Sequence, residues 1–301
     1  MILTLILTIL GLCFFEVITS IDNAIINADV LRTMRPQNRR WFLLWGIIFG
    51  VFIIRGLLPW IIVWFATPSI GPLDAFIASF KSTPEVQAAI ATSAPLLLIG
   101  GGVYLIFLFF HWLFIEPKSY GLPGEQTVAR YGAWFFAVVS VILTWLVWRA
   151  LQINSLMAFS AVLGSTAFFI THGFKQYAEQ QEKRLQGNHF SDISKILYLE
   201  AIDATFSIDS VLGAFAFTLS VPLILLGNGL GALIVRHLTI KGVHHFERYV
   251  YLKNGAMYSI LFLGIIMIVD GFGHHVPAWI SPIITFGVVG FFFIKSRNKI
   301  S

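Results

Sequence analysis

Five acids, Glu16, Asp22, Glu200, Asp203 and Asp209, stand inside stretches that are otherwise hydrocarbon. The first two lie in "EVITSIDNAII" (16–26) and the other three in "EAIDATFSIDS" (200–210). A carboxylate at the centre of a bilayer costs at least about 2.5–3.5 kcal/mol, so water, a proton or a cation has to offset it. The acids are accompanied by the amide of Asn23 and the hydroxyls of Ser20, Ser207 and Ser210. An oxygen set of this kind suits hard divalent ions such as Mg²⁺, Ca²⁺ and Mn²⁺. No Cys stands among them, so thiolate-bound zinc or copper(I) is not expected. The candidate metal-binding set is Glu16, Asp22, Asn23, Glu200, Asp203, Asp209 and Ser210.

Spacing constrains how these groups meet. Glu200 and Asp203, three apart, share a helix face. Glu16 and Asp22, like Asp203 and Asp209, are six apart and diverge by about 120° on an ideal helix. One ion can touch both members only if the helix is broken or if the site draws on both motifs. Broken helices with freed carbonyls are common at transporter sites. The short polar residues near Asp22 and Asp209 compete for backbone hydrogen bonds, so distortion is predicted at both places. A helix-packing role is the plainer alternative, with Arg55 or Arg236 as ion-pair partners, but two arginines do not neutralise five acids.

The two motifs are copies. "ITSIDNAIINA" (18–28) aligns with "TFSIDSVLGAF" (205–215), which pairs Asn23 with Ser210 and Glu16 with Asp203. A second echo, "LWGIIFGVFIIR" (44–55) against "LGNGLGALIVR" (226–236), ends in Arg55 and Arg236.

The elements that carry these motifs are membrane spans. Hydrophobic residues make up 57% of the 301 and charged residues 12%, and the mean hydropathy is +0.82, more apolar than a soluble core requires. Nine segments reach the roughly 20 residues that a bilayer demands. They lie at about 2–30, 41–66, 94–115, 131–149, 153–173, 195–219, 221–239, 254–270 and 277–295. The N-terminal stretch lacks a basic region and a small-residue cleavage site and reads as a retained span.

The net charge of +5 does not point to nucleic acid, because Lys and Arg fall in short clusters between apolar runs. Arg32–Arg40, Lys118 and Arg130, Lys175–Lys195, Arg236–Lys253 and Lys295–Lys299 occupy one alternating set of loops, whereas the other holds Lys81 and Arg149. The positive-inside rule then puts the N-terminus outside and the C-terminus inside. The expectation is an all-α polytopic membrane protein of about nine helices in one transmembrane domain. It comprises a first repeat (1–130) and a second, inverted repeat (175–295), since five spans separate the copies. Inverted repeats with polar residues at a shared interface are a common build of secondary transporters. The loop 67–95 is expected to lie as an amphipathic helix on the outer surface, and 174–194 to extend the fifth helix or act as a tether.

At Glu16, Ser20, Asp22 and Asn23 the chain resembles the TerC family, which carries an E-x-x-x-S-x-D-N type motif. Glu200, Asp203, Phe206, Ser207, Asp209 and Ser210 resemble its second motif, and "KNGAMYSILFLGIIMIVD" (253–270) is similar to a further landmark. It looks closest to a subgroup of undefined function with a long external loop and the glycines 100–102. The resemblance implies a LysE-type exporter linked to tellurium resistance and to efflux of manganese and related divalent cations.

Other features carry less. His244-His245 and His274-His275 are not ready chelates, because adjacent helical residues diverge by about 100°. His111 and His172 are expected near the cytoplasmic span ends, in reach of headgroup water. Gly227 and Gly231 form a G-x-x-x-G, and with Gly100, Gly101 and Gly102 they are read as close helix-packing positions. Asp270 is expected at the outer interface. The single Cys13 excludes an intramolecular disulfide.

The expected function is a non-enzymatic, multi-pass transporter of the cell inner (plasma) membrane, exporting Mn²⁺ or Ca²⁺. Its partners are the lipid bilayer and the divalent ion, with no resident cofactor and no nucleic acid. The alternatives are a membrane scaffold or metallation partner acting through loop 67–95, and an intramembrane aspartyl hydrolase with Asp22 and Asp209 as a shared-proton dyad.

Overall fold

A backbone in lipid has no water to bond to, so it must satisfy its N–H and C=O groups internally. The computed structural model, which describes residues 2–46, 55–66, 71–73, 84–118, 120–185, 191–241 and 248–300, meets that demand with helices. These are α1 (Ile2–Thr19), α2 (Ile21–Arg32), α3 (Pro36–Gly46), α4 (Arg55–Ala66), α5 (Pro84–Phe114) and α6 (Glu125–Ala129). They continue with α7 (Trp134–Leu151), α8 (Ser155–Leu185), α9 (Asp192–Ala214), α10 (Val221–Lys241), α11 (Leu252–Gly271) and α12 (Ile280–Ile300). Among the described residues there is no strand. The protein is an all-helical polytopic membrane protein, as its composition requires.

Seven helices among the described residues are long and apolar enough to cross a membrane: α1, α10, α11, α12, α7, and the segments Thr92–Phe114 of α5 and Ser155–Tyr177 of α8. Two of the nine expected spans are missing from this set for different reasons. The 41–66 span is divided between α3 and α4, and residues 47–54 lie outside the described residues. The 195–219 span corresponds to α9, which is 23 residues long but carries Asp192, Lys195, Glu200, Asp203 and Asp209. Such a helix cannot face hydrocarbon, and α9 is indeed packed against α1, α2, α3, α4, α5, α8, α10 and α11.

Two further expectations are refined. α5 begins at Pro84, ten residues before the expected span, so the end of the 67–95 loop is helix continuous with the membrane segment. Most of the rest of that loop lies outside the described residues. α8 runs on to Leu185, so the polar stretch after the fifth span extends the helix that far, and residues 186–190 lie outside the described residues.

Layering follows burial. In α5 78% of the span is buried and in α11 61%, against 22% in α7, so α5 and α11 form the middle and α7 the periphery. Trp134, Phe136, Val141, Trp145 and Trp148 of α7 are exposed, as lipid-facing bulk. Helix ends are secured by side chains. Ser191 Oγ accepts from the Ser194 N–H at 3.2 Å to start α9. Lys118 Nζ donates to the Trp112 carbonyl and, at 3.1 Å, to that of Leu113, closing α5 where a cation suits the helix dipole. Asp192 Oδ2 accepts from Asn38 Nδ2 at 2.6 Å and from the Arg35 N–H at 3.1 Å, tying α3 to the start of α9.

The glycines read as packing positions are that. A Cβ on Gly227 would stand 2.5 Å from Leu12 Cβ, and one on Gly231 2.6 Å from Glu16 Cβ, so α10 lies directly on α1. The tightest contact joins α5 and α8, where a Cβ on Gly164 would stand 2.0 Å from the Gly100 carbonyl oxygen. A backbone atom cannot rotate away. Gly164→Ala is therefore expected to force the two helices apart and lower stability by about 1–3 kcal/mol. Gly173→Ala on the same helix, where nothing lies within 4 Å, is the control and should not destabilise. Thermal unfolding of both variants in detergent checks this.

Candidate functional site

The first motif sits where one helix passes into the next. α1 ends at Thr19 and α2 starts at Ile21, with Ser20 between them. The interruption is one residue wide: Ser20 N–H still donates to the Glu16 carbonyl at 3.1 Å and Ala24 N–H to that of Ser20 at 2.9 Å. The Ser20 hydroxyl donates to Glu16 Oε1 at 2.8 Å, and that of Thr19 to the Phe15 carbonyl at 2.9 Å. The change from α1 to α2 thus falls two residues before Asp22, with the backbone ladder intact across it. The second motif differs. α9 is continuous through Asp209 to Ala214, which corrects the expectation of a break there. Ser207 and Ser210 donate to the Asp203 and Ser207 carbonyls at 2.6 and 3.1 Å, and the ladder absorbs these bonds without opening.

The two motifs meet. Asn23 Nδ2 donates to Asp203 Oδ1 at 2.7 Å, between side chains 180 residues apart. Glu16 is fully buried, and Asn23, Glu200, Asp203, Ser207 and Ser210 are all below a tenth exposed. A small cavity of about 20 Å³ beside this contact is lined by Ser20, Asn23, Asn27, Asp203 and Arg236, among others. Asn23 Oδ1 and Asn27 Oδ1 are buried acceptors with no hydrogen-bond partner among the described residues. Glu200 Oε1 pairs with Arg236 at 3.5 Å, and the guanidinium lies 4.4 Å from the centre of the Phe42 ring. The helix-packing ion pair foreseen for Arg236 is therefore present. The side chains of Asp22 and Arg55 are outside the described residues.

Asp209 belongs to a second cluster. Its Oδ1 accepts from the Tyr104 hydroxyl at 2.5 Å, and its Oδ2 lies 3.7 Å from Lys175 Nζ. Thr171 Oγ1 is 2.9 Å from the Tyr104 oxygen. His111 and His172, expected to reach headgroup water separately, instead lie together with ring centroids 3.7 Å apart, and His111 is only 5% exposed. A cavity of about 70 Å³ opens beside Asp209 and Lys175 and reaches Glu116 and Lys253, which pair at 2.7 Å. Burial pushes the Glu116 carboxyl up, but the ammonium of Lys253, with Lys175 and His111, outweighs burial and holds it below the usual carboxylate value.

Five of the seven candidate metal ligands thus fall into two groups: Glu16, Asn23, Glu200 and Asp203 around the motif contact, and Asp209 with Tyr104 and Lys175. Ser210 bonds to its own helix. Among the described residues no three His, Cys, Asp or Glu side chains gather closely enough to hold one ion. A cation at the first cavity would draw on carboxylate, amide and hydroxyl oxygens together, with the open carbonyls of Asn23 and Asn27 as neutral donors.

Sequence reasoning missed Tyr104, Asn27, Lys175 and Glu125. Tyr104 looked like one more aromatic in an apolar run. Asn27 sits one turn after Asn23 on the same face, a signal that was readable. Lys175 was counted as a loop charge. Glu125 Oε2 and Oε1 accept from Asn254 Nδ2 at 2.7 Å and the Tyr258 hydroxyl at 2.9 Å, which gives the 253–270 landmark a structural role in anchoring α6. His275 Nδ1 lies 3.7 Å from Asp270 Oδ1, at the end of α11. His244 and His245 lie outside the described residues.

Asn23→Ala would leave the Asp203 carboxylate without its donor from the other motif, at a cost of about 1–3 kcal/mol. Asn23→Asp, which replaces the donor by a second carboxylate, should cost more. The expected order of melting temperatures in detergent is wild type, then alanine, then aspartate.

Comparison with known proteins agrees with the membrane architecture and adds a family. Over 104 residues the chain is 32% identical to a Rickettsia felis protein described as "Uncharacterized membrane protein". The similarity covers 34% of this chain and 33% of that protein, about a third of its length. No solved structure matches. The family described as "Protein of unknown function (DUF475)" matches residues 21–300, which takes in every helix after α1, the second motif and the first motif from Ile21 onward, and the chain belongs to that family.

Proposed function

We propose that the chain is a transporter that exports divalent metal cations, Mn²⁺ or Ca²⁺, across the cell inner membrane through its buried polar motifs. The observation that carries this reading is the 2.7 Å hydrogen bond from Asn23 to Asp203, which joins the two motif copies beside buried Glu16 and the open amide oxygens of Asn23 and Asn27. Oxygen donors of this kind, withdrawn from lipid and collected at the junction of two repeats, are what a hard cation needs in the membrane. The resemblance of both motifs to the TerC family supports the same reading.

Helix pairing supports the inverted repeat, in which α9 is the counterpart of α1 and α2 together. α5 and α11, third in each repeat, pack on one another in the middle. In the proposed arrangement α9 and the 41–66 segment complete nine spans, with the N-terminus outside and the basic loops inside.

Proteoliposomes with an enclosed fluorescent metal indicator test the proposal. Mn²⁺ or Ca²⁺ entry is expected with the wild-type protein, and a loss of about tenfold or more, equivalent to 1.4 kcal/mol, with Asp203→Asn and with Asp22→Ala combined with Asp209→Ala. Wild-type flux in these variants overturns it.

A further inference from the structure

The second cluster holds a charge arrangement with a use of its own. The cavity of about 70 Å³ beside α8, α9 and α11 takes its charged lining from Asp209, Glu116, Lys175 and Lys253. Lys253 Nζ lies 2.7 Å from Glu116 Oε2, and Lys175 Nζ forms an ion pair with Asp209 Oδ2 at 3.7 Å. The other oxygen of Asp209 is held at 2.5 Å by Tyr104, whose ring is fully buried. One carboxylate oxygen is therefore fixed, and the other faces an ammonium on a flexible stem across a space that can hold water. Lysine is a compact, strongly hydrated point charge, and it exchanges contacts readily. A divalent cation on the same oxygen would stand within about 4 Å of that ammonium, where like charges repel strongly in a low-dielectric setting.

We propose that Lys175 is a built-in counter-cation for Asp209, which occupies the carboxylate when no transported ion is there, so that the ion pair and a bound divalent cation exclude each other. This rests on the transport reading above and adds to it a means of release. An arriving cation displaces the ammonium into the cavity towards Glu116, and its return to Asp209 expels the cation. Among the described residues two acids and two lysines line the cavity, and Asp209 is not left as a bare anion in the membrane between transport events.

A purely structural tie between α8 and α9 predicts a different outcome. Removal of a tie weakens the protein and leaves ion affinity the same or lower. Removal of a competitor raises affinity. Titration calorimetry of MnCl₂ and CaCl₂ into the purified full chain in detergent separates the two. Lys175→Gln is expected to bind the ion about tenfold tighter or more and to show the larger rise in melting temperature on metal addition. Lys175→Arg, which keeps the charge, is expected to stay near wild type. Lys175→Met provides the neutral variant should the glutamine chain fail to fold. Wild-type or weaker affinity in the neutral variants overturns the proposal. If the wild type binds and Asp203→Asn does not, that result leaves the transport reading standing. If neither wild type nor any Lys175 variant binds Mn²⁺ or Ca²⁺, both fall.

Discussion

The cost of a carboxylate in hydrocarbon governs this molecule, and α9 is where it is met. Glu200, Asp203 and Asp209 cannot turn to lipid, so the side of α9 that bears them packs against its neighbours while Ile193 and Leu197 stay exposed. Each acid then receives a partner from a different element: Arg236 of α10, Asn23 of α2, and Tyr104 of α5 with Lys175 of α8. Contacts spread around and along one helix fix both its rotation and its height. The rest of the bundle is arranged to bring those partners within reach.

Bringing them within reach requires close helices, and lipid supplies no hydrophobic drive between apolar faces. Small residues do the work instead. Gly227 and Gly231 let α10 settle on α1, which places Arg236 near Glu200 and puts the α10 backbone beside Glu16. Gly100, Gly101 and Gly102 admit Ser160, Met267 and Ile268 in turn, so α5 is gripped from both α8 and α11. That grip positions Tyr104, one turn further along, against Asp209. The glycine pattern and the acid pattern are two halves of one design.

Much of this was legible in the sequence. Apolar length marked nine segments, seven of which are helices long and apolar enough to cross a membrane among the described residues; the paired motifs indicated that residues near 23 and 203 belong together, and the G-x-x-x-G and triple glycine marked the close contacts. What was not legible has a common cause. The partners of the acids come from distant positions, 105 residues apart for Tyr104 and Asp209, and no spacing rule links them. Counting charges by loop assigned Lys175 to the cytoplasmic face. The long stem of a lysine near a span end reaches inward as easily as outward, and here it ends beside Asp209. The sum of two arginines against five acids was therefore incomplete.

The repeat was legible as sequence, yet its two copies differ in local structure, as one pair of hydroxyls shows. Ser20 and Ser207 are equivalent, each four residues after an acid, Glu16 or Asp203. Ser20 spends its proton on the Glu16 carboxylate at 2.8 Å, and the helix is interrupted at that residue. Ser207 spends its proton on the Asp203 backbone carbonyl at 2.6 Å, and α9 stays whole. The contact between motifs is equally one-sided: Asn23 engages the Asp203 carboxylate, whereas Glu16, with its longer side chain, meets its own serine within the helix. Asn23 in the first copy, answered by Ser210 in the second, thus makes the copies unlike at the position where they meet.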